Sequence, residues 1–469
     1  MMRRSIAVSL ALVLIGVLVA CEGNRREPAE EPMSAGAWTW IAGGDTINQH
    51  GIYGSKGRSD PANVPGSRSD AVSWMDAEGG LWLFGGHGVD SGFGFGMLSD
   101  LWKYDTASGE WTWVSGSDLV NQSGIYGVRG AADPLNVPGA RHPAASWLDK
   151  QGNLWLFGGS GPDGADNWGQ LNDLWRFEPA SGEWTWVGGS NAGNQVGVYG
   201  VRGVPDPSNG PGSKAFVSTW VDASGKFWLF GGFGFVSAGN LDYFNDLWSY
   251  DPAANLWTWV SGSDTDSQPG AYGVLRTADP ANIPGARGGA ASWIGSNGGL
   301  WLFGGEGIDS AGNFGLLNDL WRYDPGTGEW TWMDGSCRHS QRGDYGVRGV
   351  TSEANVPGSR QEAISWVDAD GHLWLFGGNG HDADGYVGWL NDIWMFDPVA
   401  SEWAWISGST TIGQNGIYSA GGSAGLVPGA RRDAVAGLDA RGRLWLFGGA
   451  SYDSLGTQGG INDFWRYTR

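Results

Sequence analysis

Short apolar runs, each closed by a glycine-bearing turn, recur along the chain at a fixed interval. In the first complete copy they are Arg68 to Asp76 (RSDAVSWMD), Leu81 to Gly86 (LWLFGG), Asp100 to Asp105 (DLWKYD) and Glu110 to Gly116 (EWTWVSG). Runs of this length, rich in Trp, Val and Phe and bounded by Gly, Asp and Ser, predict strands. The first-to-second and third-to-fourth connections are short and carry Gly, as hairpins require. One unit therefore predicts four antiparallel strands.

The diglycine that ends the second run recurs at Gly85-Gly86, Gly158-Gly159, Gly231-Gly232, Gly304-Gly305, Gly377-Gly378 and Gly448-Gly449, in steps of 73, 73, 73, 73 and 71 residues. Self-similarity at fixed period outranks a length-based domain count. Six four-stranded units predict an all-β, six-bladed propeller. The segment 38–469 begins with a fourth-type strand, Trp38-Thr39-Trp40, and ends on a third-type strand, INDFWRYTR. The N-terminal strand is expected to complete the C-terminal blade and cover two open edges at once.

The runs LWLFGG, LNDLWRYDP and GEWTWV resemble the kelch repeat, and the resemblance covers Trp38 to Arg469. The units are longer than the usual kelch period of about 50 residues; the surplus falls in loops. The resemblance implies a kelch-type propeller. Galactose oxidase has related repeats, but its copper site needs His, Tyr and a Cys–Tyr cross-link. The six His residues here (His50, His87, His142, His339, His372, His381) show no such set, and Cys337 stands alone.

Residues 1–20 carry a different pattern. Arg3 and Arg4 precede an uncharged apolar stretch that ends Leu18-Val19-Ala20-Cys21, a signal-peptide layout too short for a comfortable membrane span. It resembles the lipobox of bacterial lipoproteins, which implies lipidation of Cys21 and anchoring at the cell envelope; Glu22 at the next position implies the outer membrane in a Gram-negative cell. Residues 21–37 are charged and contain Pro, and predict a flexible tether. With Cys21 lipidated, Cys337 has no intrachain disulfide partner.

Composition narrows function by exclusion. A net charge of −21 argues against nucleic acid, which needs a basic surface. The 84 Gly and 31 Trp are accounted for by turns and strand cores. No phosphate loop, zinc-protease motif or nucleophile elbow is present. No cofactor is expected, and the chain is expected to be a monomer.

Strand order puts the short turns on one face and the two long loop families on the other, where function on a rigid scaffold usually resides. Each unit repeats a cation at the start of its first strand (Arg68, Arg141, Lys214, Arg287, Arg360, Arg431) and a carboxylate at the head of its third (Asp100, Asp173, Asp246, Asp319, Asp392, Asp463). These form either an internal pair in every unit or a basic rim that receives an anion. Two residues beyond the cation the repeat breaks: Asp70, Pro143, Phe216, Gly289, Glu362, Asp433. The three carboxylates fall on units one, five and six, which become neighbours once the ring closes, with Arg432, Gln361 and His142 beside them. Such a cluster suits a cation, acid–base work or a sugar. The loops after the diglycines add aromatics, including Trp168 and Trp389, which suit a glycan or a peptide. The expectation is a noncatalytic lipoprotein that binds a glycan or protein on the long-loop face. The alternative is a carbohydrate-active propeller using acid–base carboxylates, similar to kelch-type sialic acid mutarotases. The candidate ligand-binding residues are Asp70, His142, Gln361, Glu362, Arg432, Asp433, Trp168 and Trp389.

Overall fold

The computed structural model describes Met33 and residues 35–236, 239–419 and 425–469. The signal sequence, Cys21 and most of the tether lie outside them. The described residues are all-β and contain no helix. Six principal sheets are each built on four antiparallel strands, an arrangement consistent with a β-propeller. In the first, Val72–Met75, Gly80–Phe84, Leu101–Asp105 and Glu110–Ser115 pair in that order. The sixth joins the two ends of the described chain: Ala37–Ala42 pairs with Phe464–Thr468, with Trp38 opposite Tyr467 and Trp40 opposite Trp465.

The first strands of the units (Val72–Met75, Ala145–Leu148, Ser218–Val221, Ala291–Ile294, Ile364–Val367, Val435–Leu438) lie side by side in chain order, and Val435–Leu438 also lies against Val72–Met75. Hydroxyls tie them together. Ser73 donates to the Ala436 carbonyl at 3.0 Å, Ser292 to Thr219 at 3.2 Å and Ser365 to Ser292 at 3.0 Å.

Apolar burial is divided into six clusters, one between each pair of consecutive sheets and one between the sixth and the first. The repeated tryptophans enter every one of them, as side chains that each bury ~150–250 Å². First-strand indoles also cross between sheets: Trp74 donates to the Trp147 carbonyl at 2.9 Å and Trp293 to Trp374 at 2.8 Å. The sixth unit has Gly437 here because Met75 and Leu81 of the first unit fill the space; a Cβ would meet them at 2.8 and 3.0 Å.

The diglycine is required twice over. Gly85 and Gly86 have φ of 67° and 94°. A Cβ on Gly85 would lie 2.9 Å from the Arg141 carbonyl of the next unit, and one on Gly86 2.6 Å from that of Ser69. Only Gly accepts both the left-handed backbone and the close approach.

Two features differ from the expected strand-and-loop pattern. The segments after the diglycines are hairpins, such as His87–Val89 with Phe95–Met97. In units two and five they run on unbroken from the main strands, as Leu154–Pro162 with Trp168–Glu178 and Leu373–His381 with Val387–Asp397. The long loops between units also reach the outer strands: Ser59–Asp60 pairs with Thr112 and Trp111. A strand edge that would otherwise template aggregation is thereby covered.

Candidate functional site

The repeated cation and carboxylate form an internal pair, and the basic-rim alternative is overturned. Arg68 donates to both oxygens of Asp100 at 2.7 and 2.8 Å and to the carbonyls of Gly66 and Gly85. Arg68 is 1 % exposed and Asp100 0 %, so no anion reaches the guanidinium. The same Asp100 accepts from Tyr53 at 2.6 Å and Trp102 at 2.7 Å. Each nitrogen of the buried guanidinium has an acceptor, which is what makes such a pair tolerable. Unit three does it with Lys214, whose Nζ contacts both Asp246 oxygens at 2.8 Å. Each long loop also repeats Gln-x-Gly-x-Tyr, first at Gln49 to Tyr53, and in each the tyrosine docks the loop on the carboxylate of this pair.

Two residues further on, the backbone leaves its ordinary conformation. Asp70, Phe216, Glu362 and Asp433 have φ of 58°, 57°, 59° and 54°, and Gly289 has 67°. A left-handed non-Gly residue costs about 1–2 kcal/mol and persists only where its surroundings hold it. Here the hold is a chain of backbone hydrogen bonds between units. Gly289 N donates to Phe216 O, Glu362 N to Gly289 O, Asp433 N to Glu362 O and Asp70 N to Asp433 O, at 2.8, 2.7, 3.2 and 3.0 Å. Pro143 has no N–H to continue the series.

This turn gathers the three carboxylates. Their side chains are 9 % (Asp70), 6 % (Glu362) and 7 % (Asp433) exposed. Arg432 Nη1 bridges Glu362 Oε2 and Asp433 Oδ2, the latter at 2.6 Å. Ser69 donates to Asp70 at 2.8 Å, and His142 Nδ1 stands 3.7 Å from the same oxygen with no other partner. His142 stacks on His87 at 5.3 Å.

The environment splits the three acids. Burial pushes Asp433 well above the ordinary carboxylate range, and the charges of Asp70 and Glu362 add to it against the pull of Arg432. Burial raises Glu362 in the same way, with Arg432 opposing and Asp70 adding. Burial also acts on Asp70, but His142, Ser69 and Arg432 outweigh it and hold that carboxyl low. One carboxyl held low beside two pushed up is a pattern suited to hydroxyl recognition and to proton transfer.

Aromatic rings flank the cluster. Trp389 packs against Tyr452 at 5.4 Å, with the Arg432 guanidinium 5.9 Å from its ring. Tyr243 stands between Phe233 and Phe314 at 5.0 and 5.4 Å and donates to Glu306 at 2.8 Å. Gln361 lies over Gly289, its Cβ 3.4 Å from where a glycine Cβ would project. Trp168 is 53 % exposed on the hairpin of unit two, opposite Pro162.

His87 and Glu306 also stand beside the cluster, against His142 and Tyr243, and neither belongs to the broken series or to the loop aromatics. A sequence signal for both exists: the residue after the diglycine varies (His87, Ser160, Phe233, Glu306, Asn379, Ala450) and pairs with the residue after the repeated cation. Arg432 stands opposite the smallest of these, Ala450.

Acidic turns elsewhere are structural. Asp309 accepts from the N–H groups of Ala311 and Asn313, and Asp382 from those of Asp384 and Tyr386. Among the described residues, Asp368, Asp370 and His372 lie close enough to share a metal, but Trp374, His372 and Arg469 already occupy Asp368. Compared with known proteins, the chain matches no family model and no curated protein.

Proposed function

We propose that the chain is a six-bladed kelch-type β-propeller, anchored to the cell envelope through lipidated Cys21, that binds a glycan on its long-loop face. The reading rests on one observation: Asp70, Glu362 and Asp433 converge around Arg432 with Trp389 and Tyr452 beside them. Carboxylates accept from sugar hydroxyls, a protonated carboxyl or Arg432 donates to ring and hydroxyl oxygens, and an aromatic ring covers the apolar face of a pyranose. A glycan array probed with the chain from residue 22 onward tests it. Binding lost in the combined Asp70→Asn, Glu362→Gln, Asp433→Asn variant, with folding retained, supports the reading. Binding unchanged in that variant, or capture of a protein partner alone, sinks it.

The split between Asp70 and Asp433 favours a second reading, acid–base catalysis on a sugar of the mutarotase type. NMR exchange between the anomers of a reducing sugar such as sialic acid measures it. Acceleration by the wild type that is abolished by Asp433→Asn favours catalysis over binding alone.

A further inference from the structure

The turn between the first and second strands carries an aspartate in five units: Asp76, Asp149, Asp222, Asp368 and Asp439. In three of them that aspartate also holds a cationic side chain. Lys103 reaches Asp76 at 2.8 Å, and Arg443 reaches Asp439 at 2.7 Å. His372 and Arg469 reach Asp368 at 3.0 and 2.7 Å.

Units two and three break this pairing. Arg176 stands where unit one has Lys103, but Asn153 Nδ2 takes Asp149 Oδ2 at 2.8 Å. In unit one the residue at that place is Gly80, which leaves Asp76 Oδ2 to Lys103. In unit three, the hydroxyl of Ser224 and the indole of Trp228 take Asp222, and Lys226 is left over. Among the described residues neither Arg176 nor Lys226 forms an ion pair, and Arg176 Nε is buried with no acceptor. The chain's other lysines outside this region are spent internally: Lys56 on the Gly116 carbonyl, Lys103 on Asp76 and Lys214 on Asp246.

The two released cations line one cavity of about 550 Å³ between units two and three, together with Lys150 and Trp155. It lies on the short-turn face, away from the carboxylate cluster. The Arg176 guanidinium lies 5.8 Å from the Trp155 ring. Lys150 crosses the gap and donates to the Ala223 carbonyl at 2.8 Å, which uses one of its three N–H donors. Two carboxylates share the wall, and both are committed to their own turns. Asp149 also accepts from Gln151 N and the Trp155 indole. Asp251 accepts from the N–H groups of Ala253 and Ala254. Three cations against two carboxylates leave this cavity positive in a chain whose net charge is −21.

We infer that this cavity binds a phosphate group, held by Arg176, Lys226 and Lys150. A guanidinium fork with two ammonium groups, drawn from two units, suits the tetrahedral oxygens of a phosphate better than the planar pair of a carboxylate. Ala37, where the strand after the tether begins, lies at this same end of the sheets, opposite Thr468. A lipid headgroup is therefore one source of the phosphate, and free phosphate the other. The site is independent of the glycan reading.

Isothermal titration of the full chain in detergent tests this, once with inorganic phosphate and once with glycerophosphoglycerol, a water-soluble phospholipid headgroup. Saturable binding is expected, and the tighter of the two probes identifies a free or a lipid-borne source. Arg176→Gln combined with Lys226→Gln should weaken binding at least about tenfold. Asn153→Gly removes no cation; it frees Asp149 for Arg176, as Gly80 leaves Asp76 to Lys103, and should also weaken binding. Lys103→Gln removes a cation from unit one and should leave binding unchanged. Circular dichroism checks that each variant keeps its fold. No saturable heat with either probe, binding indifferent to Asn153→Gly, or equal weakening by Lys103→Gln overturns the proposal.

Discussion

Gly295 stands six residues before Trp301 at the position where the other five units place an aspartate, and the Trp301 indole nitrogen is buried without a partner. In those five units the carboxylate accepts the indole N–H, as Asp222 does from Trp228 at 2.8 Å. Asp222 also accepts the backbone N–H groups of Ser224 and Lys226. Asp222→Ala therefore orphans a part-buried donor and unties a turn. Destabilisation of about 1–3 kcal/mol is expected, read as a lower thermal midpoint.

The buried ion pairs give a graded series. Arg287→Ala leaves Asp319, 0 % exposed, without its cation, and a loss of about 3–5 kcal/mol is expected. Arg287→Lys should cost less, because Lys214 already serves Asp246 in unit three, although the carbonyls of Gly285 and Gly304 lose their donors. Urea denaturation of both variants checks the order; equal losses refute it.

Four hydroxyl ties join the first strands, and the sixth unit cannot supply one, since it has Ala436 where the others have Ser or Thr. Ala436→Ser would let that hydroxyl donate to the Ser365 carbonyl as Ser365 does to Ser292. A gain of about 0.5–1.5 kcal/mol is expected, and a thermal midpoint at or below that of the wild type counts against it.

Asp70, Glu362 and Asp433 set a pH dependence with a definite sign. Asp433 and Glu362 are raised in the fold, so their contribution is fully present below the unfolded carboxylate range and lost as pH rises through the folded values. Asp70 is lowered, so its contribution is present above the unfolded value and lost as pH falls. Asp433→Asn removes one raised group. Relative to wild type it should gain stability as pH is raised from about 4 toward 8, in urea titrations at several pH values. A difference that stays constant with pH contradicts the assignment.

The repeat was legible because every unit spends the same residues on the same job. Diglycines, strand tryptophans and the pairing of Trp38-Thr39-Trp40 with the final strand follow from spacing alone. The hairpins after the diglycines were less visible, because their sequences vary and their turns are organised by a single aspartate, such as Asp90 accepting from Gly92 and Gly94. The docking of Tyr53 on Asp100 joins residues 47 apart in sequence, a distance no local pattern reports. The break in the series pointed to Asp70, Glu362 and Asp433, which lie against His142 and Arg432. The left-handed backbone that gathers them was hidden, since Asp and Glu give no sign of it.

The pairing of Ala37–Ala42 with Phe464–Thr468 orders events during synthesis. The first strand of the described chain to leave the ribosome is the last to find its partner, with more than 400 residues of chain made in between. Contacts of such separation form late and slow folding. Until then Trp38 and Trp40 lack the surface formed by Trp465 and Tyr467, and the edge of Phe464–Thr468 has no neighbour. A ribosome stalled before Phe464 would hold a nascent chain whose five earlier sheets can form while its first strand remains open to any other extended peptide.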